Sequence, residues 1–97
     1  MDLKDLRDRI DVIDDSMLAL IFQRLMISVE IGELKKSNGT LILDEKREKE
    51  IHEKIHVKIQ ELCKECQIDI ESELMIAAFH EMYKVILDKS KEIQNNI

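Results

Sequence analysis

An arginine occupies an apolar position in the long amphipathic pattern at the start of this chain. The apolar residues alternate at spacings of three and four, which is typical of one face of a helix. They are Leu3, Leu6, Ile10, Ile13, Met17, Leu20, Ile27, Ile31 and Leu34. The spacing requires one more member between Leu20 and Ile27, and that position is Arg24. A buried guanidinium is costly unless an anion meets it, so we expect an anionic partner or ligand at Arg24.

Further polar residues fall on the inner faces of all three predicted helices. They are Ser28 and Lys35 on the first helix, Asp44, Arg47 and Glu48 at the start of the second, and Ser90 and Gln94 near the end of the third. Taken separately, the two acids would be ordinary capping residues, and the serine and glutamine ordinary polar residues of a helix end. Together they offer cations, one carboxylate and neutral hydrogen-bond donors, without an obvious nucleophile–base pair. Such a set suits a small dicarboxylate bearing a hydroxyl, with catalysis by orientation and charge stabilisation.

Arg7 lies on the same flank of the first helix as Arg24, but seventeen residues earlier. That separation is about 25 Å along a helix, so the two arginines cannot hold one small molecule within one chain. If Arg7 binds a ligand, it does so in the site of a partner chain. Otherwise it is a surface residue or an ion-pair partner of Asp11 and Asp14.

The elements that must position these groups are long helices. Charged residues make up 37% of the 97 residues and aromatic residues 3%, with two glycines and no proline, which is typical of helical bundles. We predict one all-α domain over residues 1–97, with antiparallel helices at about 3–37, 45–66 and 70–94 and a frayed tail. Asn38-Gly39 should end the first helix, and Asp44 and Asp69 should cap the next two. The predicted inner faces of the second and third helices are Ile51, Ile55, Ile59, Leu62 and Cys66, and Leu74, Ala78, Phe79, Met82, Tyr83 and Ile86.

The first helix is too long for the two shorter helices to cover its whole apolar stripe. At about 1.5 Å per residue it is roughly 50 Å long. The uncovered part predicts a second copy of the chain.

Charge and sequence pattern exclude several kinds of partner. The net charge of −6 disfavours nucleic acid and anionic membranes. No apolar run is long enough to span a bilayer, and the N-terminus has no signal-peptide character. With two cysteines, this favours a reducing cytoplasm as the location.

The ordered set of motifs resembles the all-helical chorismate mutases over nearly the whole chain. The motifs are Leu6-Arg7-x-x-Ile10-Asp11-x-Ile13-Asp14, then Leu20, Arg24, Gly32 and Lys35, then Asp44-x-x-Arg47-Glu48, then Ser90-x-x-x-Gln94. The resemblance implies an intertwined homodimer of three-helix chains. It also implies the Claisen rearrangement of chorismate to prephenate, at the branch toward phenylalanine and tyrosine, with neither a metal nor an organic cofactor.

The resemblance assigns the carboxylate end of the substrate to Arg24, Arg7 of the partner chain and Ser90. The two arginines should clamp the two substrate carboxylates, for which bidentate guanidinium pairing is suited. Ser90 should assist one of these carboxylates.

The other end of the substrate is assigned to residues of all three helices. Lys35 and Gln94 should donate to the ether oxygen, where negative charge grows as the C–O bond breaks. Glu48 should accept from the ring hydroxyl with help from the backbone at Asp44, and Arg47 should orient its neighbours.

The chain departs from the family between Glu48 and Ser90, which are separated by 42 residues, more than family members usually have. Extra turns in the second and third helices would absorb the difference. A shifted register of the third helix would put Ser90 in the glutamine's place and Ile86 in the serine's. We prefer Ser90 and Gln94, because the run from Ile86 to Gln94 matches the family better.

Two other motifs are weaker. His52-Glu53-Lys54-Ile55-His56 spells the H-E-x-x-H zinc motif, but Ile55 belongs to the core stripe and no convincing third ligand follows. Cys63 and Cys66 lack the second pair of a zinc site and should be small packing residues.

Two other functions stay open. An isochorismate–pyruvate lyase would use the same fold and carboxylate clamp. A non-catalytic helical dimerisation module would explain the stripe but predicts an apolar residue in place of Arg24.

Overall fold

A computed structural model describes residues 1–39, 45–67 and 72–97 of the chain, and these form three α-helices without a strand. Helix α1 spans Leu3–Asn38, α2 spans Glu45–Cys66 and α3 spans Ser72–Asn95. These bounds lie within two residues of the predicted ones. Asp44 and Asp69, predicted as helix caps, lie outside the described residues.

Helix α1 is closed at both ends by local hydrogen bonds. The Asp2 carboxylate accepts from the Asp5 backbone N–H at 2.9 Å, and the Asp5 carboxylate accepts from that of Asp2 at 3.2 Å, which makes a capping box. At the other end, Gly39 adopts φ +69° and its N–H donates to the Lys35 carbonyl. A left-handed residue here favours glycine, and the predicted stop is confirmed.

Helix α3 packs against both other helices, whereas no Cα of α1 lies within 8 Å of a described Cα of α2. Its first half packs on α2 around the buried side chains Ile55, Ile59 and Ile76. Its second half crosses the end of α1, where Ser28, Gly32, Leu87 and Ser90 are buried.

The predicted inner face of α3 is partly wrong. Leu74 and Met82 are exposed, and Ile76 and Leu87 are buried instead. The buried residues Ile76, Leu87 and Ser90 follow at spacings of eleven and three, so they share one face of α3, displaced around the helix from the predicted face. On α2, Cys63 rather than Cys66 packs against the core.

The end of the C-terminal tail lies against α1, and the fraying of this tail stays a prediction. The Lys36 Nζ donates to the Ile97 carbonyl at 3.0 Å. A Cβ built on Gly32 would lie only 3.0 Å from the Gln94 Cα and from the Ile97 Cγ1. Glycine at this position therefore allows the end of α3 to approach α1 closely.

The predicted apolar stripe of α1 is almost uncovered within one chain. Every residue from Met1 to Leu20 is exposed, and the first buried residue of α1 is Ser28. All nine stripe residues keep between 38% and 63% of their surface exposed. No helix in the described part of the chain is both long enough and apolar enough to span a bilayer.

Candidate active site

A cavity of about 440 Å³ lies where the end of α1, the start of α2 and the end of α3 meet. Its volume falls within the range of small-molecule sites, roughly 300–1,000 Å³. Its charged and polar lining residues are Arg24, Ser28, Lys35, Arg47, Glu48, Ser90, Lys91 and Gln94. Apolar side chains, Ile27, Ile31, Ile51 and Leu87, complete the wall.

Arg24 is half-buried and held by its neighbours. Its Nη1 donates to the Ser90 Oγ at 3.1 Å, and its Cζ lies 6.0 Å from the centre of the Tyr83 ring. The Ser28 hydroxyl donates to the Arg24 carbonyl one turn back, at 3.2 Å. No described carboxylate forms an ion pair with the Arg24 guanidinium. The anion expected at Arg24 must therefore be a ligand or a group outside the described residues.

Glu48 forms an ion pair across the cavity wall with Lys91, a residue that belongs to none of the sequence motifs. The Lys91 Nζ lies 2.9 Å from the Glu48 Oε1 and 3.5 Å from the Asp88 Oδ1. The hydrogen bond to Glu48 raises the pKa of the Lys91 ammonium above its ordinary value. The only sequence signal for Lys91 was its position directly after Ser90.

Gln94 and Lys35 lie at the same end of the cavity. The Gln94 Oε1 is buried and accepts no hydrogen bond from the described residues. A terminal amide can present its NH₂ or its oxygen to a ligand after rotation about one bond. Lys35 lies in the last turn of α1, where a cation also complements the helix dipole.

The structure brings together six of the eight predicted site residues: Arg24, Lys35, Arg47, Glu48, Ser90 and Gln94. Asp44 lies outside the described residues. Arg7 is exposed near the start of α1 and does not line the cavity. In α3 the cavity is lined by Ser90 and Gln94 and not by Ile86, and the register preferred from the sequence stays a prediction.

One histidine of the H-E-x-x-H pattern lies against a histidine of α3. His52 and His80 face each other across α2 and α3, with 2.7 Å between their Nδ1 atoms. Among the described residues, no group of three or more His, Cys, Asp or Glu side chains is arranged to hold a metal ion.

The fold and the cavity define a class: an all-helical protein whose interhelical cavity is lined by four cations and one carboxylate, a charge balance that suits an anionic ligand. A family model described as chorismate mutase type II matches residues 6–95, and the chain belongs to this family.

Two relatives agree with the family. The chain is 30% identical over 92 residues to a protein named chorismate mutase from Methanocaldococcus jannaschii, an alignment that covers 95% of this chain and 83% of the relative. It is 43% identical over 54 residues to a bifunctional chorismate mutase/prephenate dehydratase from Aquifex aeolicus, covering 56% of this chain and 15% of that protein. No solved structure matches the chain.

Proposed function

We propose that this chain is a chorismate mutase, which converts chorismate to prephenate in phenylalanine and tyrosine biosynthesis and acts as an intertwined homodimer. The observation that carries the proposal is the cavity itself. It collects, from three helices, the cations, the carboxylate and the amide that the family's ordered motifs contain.

Arg24 binds one carboxylate of the substrate in this proposal. The Ser90 hydroxyl, 3.1 Å from the Arg24 Nη1, fixes the guanidinium and lies close enough to share the carboxylate. Because no described carboxylate pairs with Arg24, the guanidinium does not have to leave an ion pair with one of them before a ligand binds. Such pre-organisation lowers the free-energy cost of binding.

Lys35 and Gln94 stabilise the ether oxygen as the C–O bond breaks. This oxygen gains negative charge in the transition state, so donors placed there bind the transition state more strongly than the substrate. Glu48 accepts a hydrogen bond from the ring hydroxyl, with the Asp44 backbone beside it, and Arg47 orients its neighbours. The reaction is unimolecular, so the chain needs only to hold the compact conformer and match its changing charge.

The homodimer completes the site. The exposed stripe of α1 needs a partner surface, and the apolar face formed by α2 and α3 offers one. A groove of about 410 Å³ runs there from Arg24 along Ile51, Ile55 and Phe79. The first half of a second chain's α1, placed in this groove, would bring its Arg7 toward Arg24 and supply the second carboxylate-binding cation.

Residues 1–97 form a single chorismate mutase domain in this proposal, and the protein is cytoplasmic. The free thiols of Cys63 and Cys66 are consistent with a reducing compartment.

An assay of chorismate disappearance with prephenate detection tests the proposed function. We expect prephenate to form in a one-to-one ratio with the chorismate consumed. Release of pyruvate from isochorismate, without prephenate formation from chorismate, would support the lyase instead. If neither compound is turned over at millimolar concentration, the result would favour the non-catalytic dimerisation module.

A further inference from the structure

Lys91 is placed differently from the other lysines whose ion pairs join two described residues. The other ion pairs between described residues join side chains three or four positions apart on one helix, and most of these are well exposed. The Lys91–Glu48 pair joins α3 to α2, and its two side chains keep only 29% and 27% of their surface. A partly buried pair with a 2.9 Å contact is stronger than an exposed pair on one helix.

The pair lies in the wall of the cavity, among three other cations. Arg24, Lys35 and Arg47 all line the same space as Glu48. Without Lys91, the Glu48 carboxylate would be attracted to one of these cations before a ligand arrives. Such a pair would neutralise a charge that the anionic ligand needs.

We propose that Lys91 is a positioning residue for Glu48. Its ammonium holds one carboxylate oxygen of Glu48 at the α2–α3 wall and leaves the other oxygen available to accept a hydrogen bond from the substrate's hydroxyl. The inference rests on the proposed chorismate mutase function. Asp88, at 3.5 Å on the solvent side, fixes the Lys91 ammonium from its own helix.

The test is a double-mutant cycle in the chorismate assay, with Lys91→Met and Glu48→Gln made singly and together. Lys89→Met is the matched control, because Lys89 is exposed, pairs with Glu92 and does not line the cavity. We expect Lys91→Met to lower kcat/KM by about ten- to a hundredfold, the range for removing a charged partner from a hydrogen-bonded group. In the Glu48→Gln background the same substitution should change kcat/KM less than about twofold, because no carboxylate remains to be held. Lys91→Arg should recover most of the activity.

Three results would overturn the inference. The first is a Lys91→Met variant as active as Lys89→Met. The second is an equal loss of kcat/KM in the wild-type and Glu48→Gln backgrounds, which would mean that Lys91 merely bridges two helices or acts by itself. The third is a Lys91→Arg variant no more active than Lys91→Met.

If Lys91→Met lowers the helix content measured by circular dichroism, Lys91→Gln takes its place in the cycle. If the unmodified chain and Lys89→Met both turn over chorismate, the proposed function stands, and a failure of the Lys91 prediction then concerns this inference alone. Absence of turnover by the unmodified chain would overturn both.

Discussion

Replacing Arg24 with methionine should lower the activity of this protein strongly and leave its stability almost unchanged. Arg24 occupies a position where the helical pattern of α1 requires an apolar side chain. Methionine is unbranched and of similar length, so it can follow the same path along the helix. The substitution therefore removes the charge while keeping much of the packing.

The effect on activity follows from the lost carboxylate contact. Removing one pre-organised, charge-assisted donor typically costs about 2–4 kcal/mol of transition-state binding, which corresponds to about a 30- to 1,000-fold loss of kcat/KM. The described residues contain no second arginine bonded to Ser90 that could replace Arg24, so we expect a loss in this range.

The effect on stability should be small. Arg24→Met loses one hydrogen bond to Ser90 and one contact with the Tyr83 ring, each worth about 1 kcal/mol. It relieves repulsion from the other cations of the cavity and places an apolar side chain on an apolar stripe. We expect the free energy of unfolding to change by less than about 1 kcal/mol in either direction.

Prephenate formation and urea denaturation measure the two quantities on the same preparation. Arg9→Met is the matched control: it makes the same chemical change on the exposed part of α1, outside the cavity. Activity of Arg24→Met within threefold of the control would refute the carboxylate clamp. A loss of more than about 2 kcal/mol of unfolding free energy would show instead that Arg24 holds the fold together.

Three further predictions concern other parts of the chain. Gly32→Ala should lower activity, because its Cβ would lie 3.0 Å from the Gln94 Cα and must displace the end of α3. Burial and the neighbouring His52 and His56 hold the pKa of His80 below its ordinary value of 6.5. The unfolded chain therefore binds this proton first as the pH falls. The free energy of unfolding should accordingly lose a contribution from His80 as the pH falls below about 6.5, which denaturation at several pH values measures. Ile13→Asp, on the exposed stripe of α1, should shift the protein from dimer to monomer in light scattering.

Control variants isolate the cause of the first two of these predictions, and the third has its own contradicting result. Gly39→Ala introduces backbone strain where a Cβ would meet nothing within 4 Å, so it should lower stability without displacing Gln94. Activity of Gly32→Ala equal to that of Gly39→Ala would contradict the role of the close approach. His80→Gln should flatten the pH dependence of stability below pH 6.5, and an unchanged slope would exclude His80 as its source. A monomeric wild-type chain would contradict the dimer.

Local patterns predicted the helices well, because each signal lies in neighbouring residues. The spacing of apolar residues and the left-handed Gly39 define α1 without reference to the rest of the fold. The inner face of α3 was harder to predict, because both Leu74 and Ile76 fit an apolar helix. Only the packing of α3 against α2 decides that Ile76, and not Leu74, is buried.

The sequence predicted a site residue most clearly where a polar residue type occupies a position that the helical pattern reserves for an apolar one. Arg24 on an apolar stripe is such a conflict, and Glu48 and Gln94 followed from the family motifs. Lys91 carries no such signal, because a lysine in a charge-rich helix end usually lies in solvent. Its contact with Glu48 depends on how α2 and α3 pack across a 43-residue separation in sequence, which no local pattern encodes.

The most direct test of the central claim is subunit complementation between Arg7→Ala and Arg24→Ala. Each variant alone should be nearly inactive, since every site lacks one arginine. Random exchange of subunits makes half of the dimers mixed. Each mixed dimer has one intact site out of two. The mixture should therefore show about a quarter of the wild-type rate of prephenate formation. A mixture no more active than its two components would contradict a site shared between two chains.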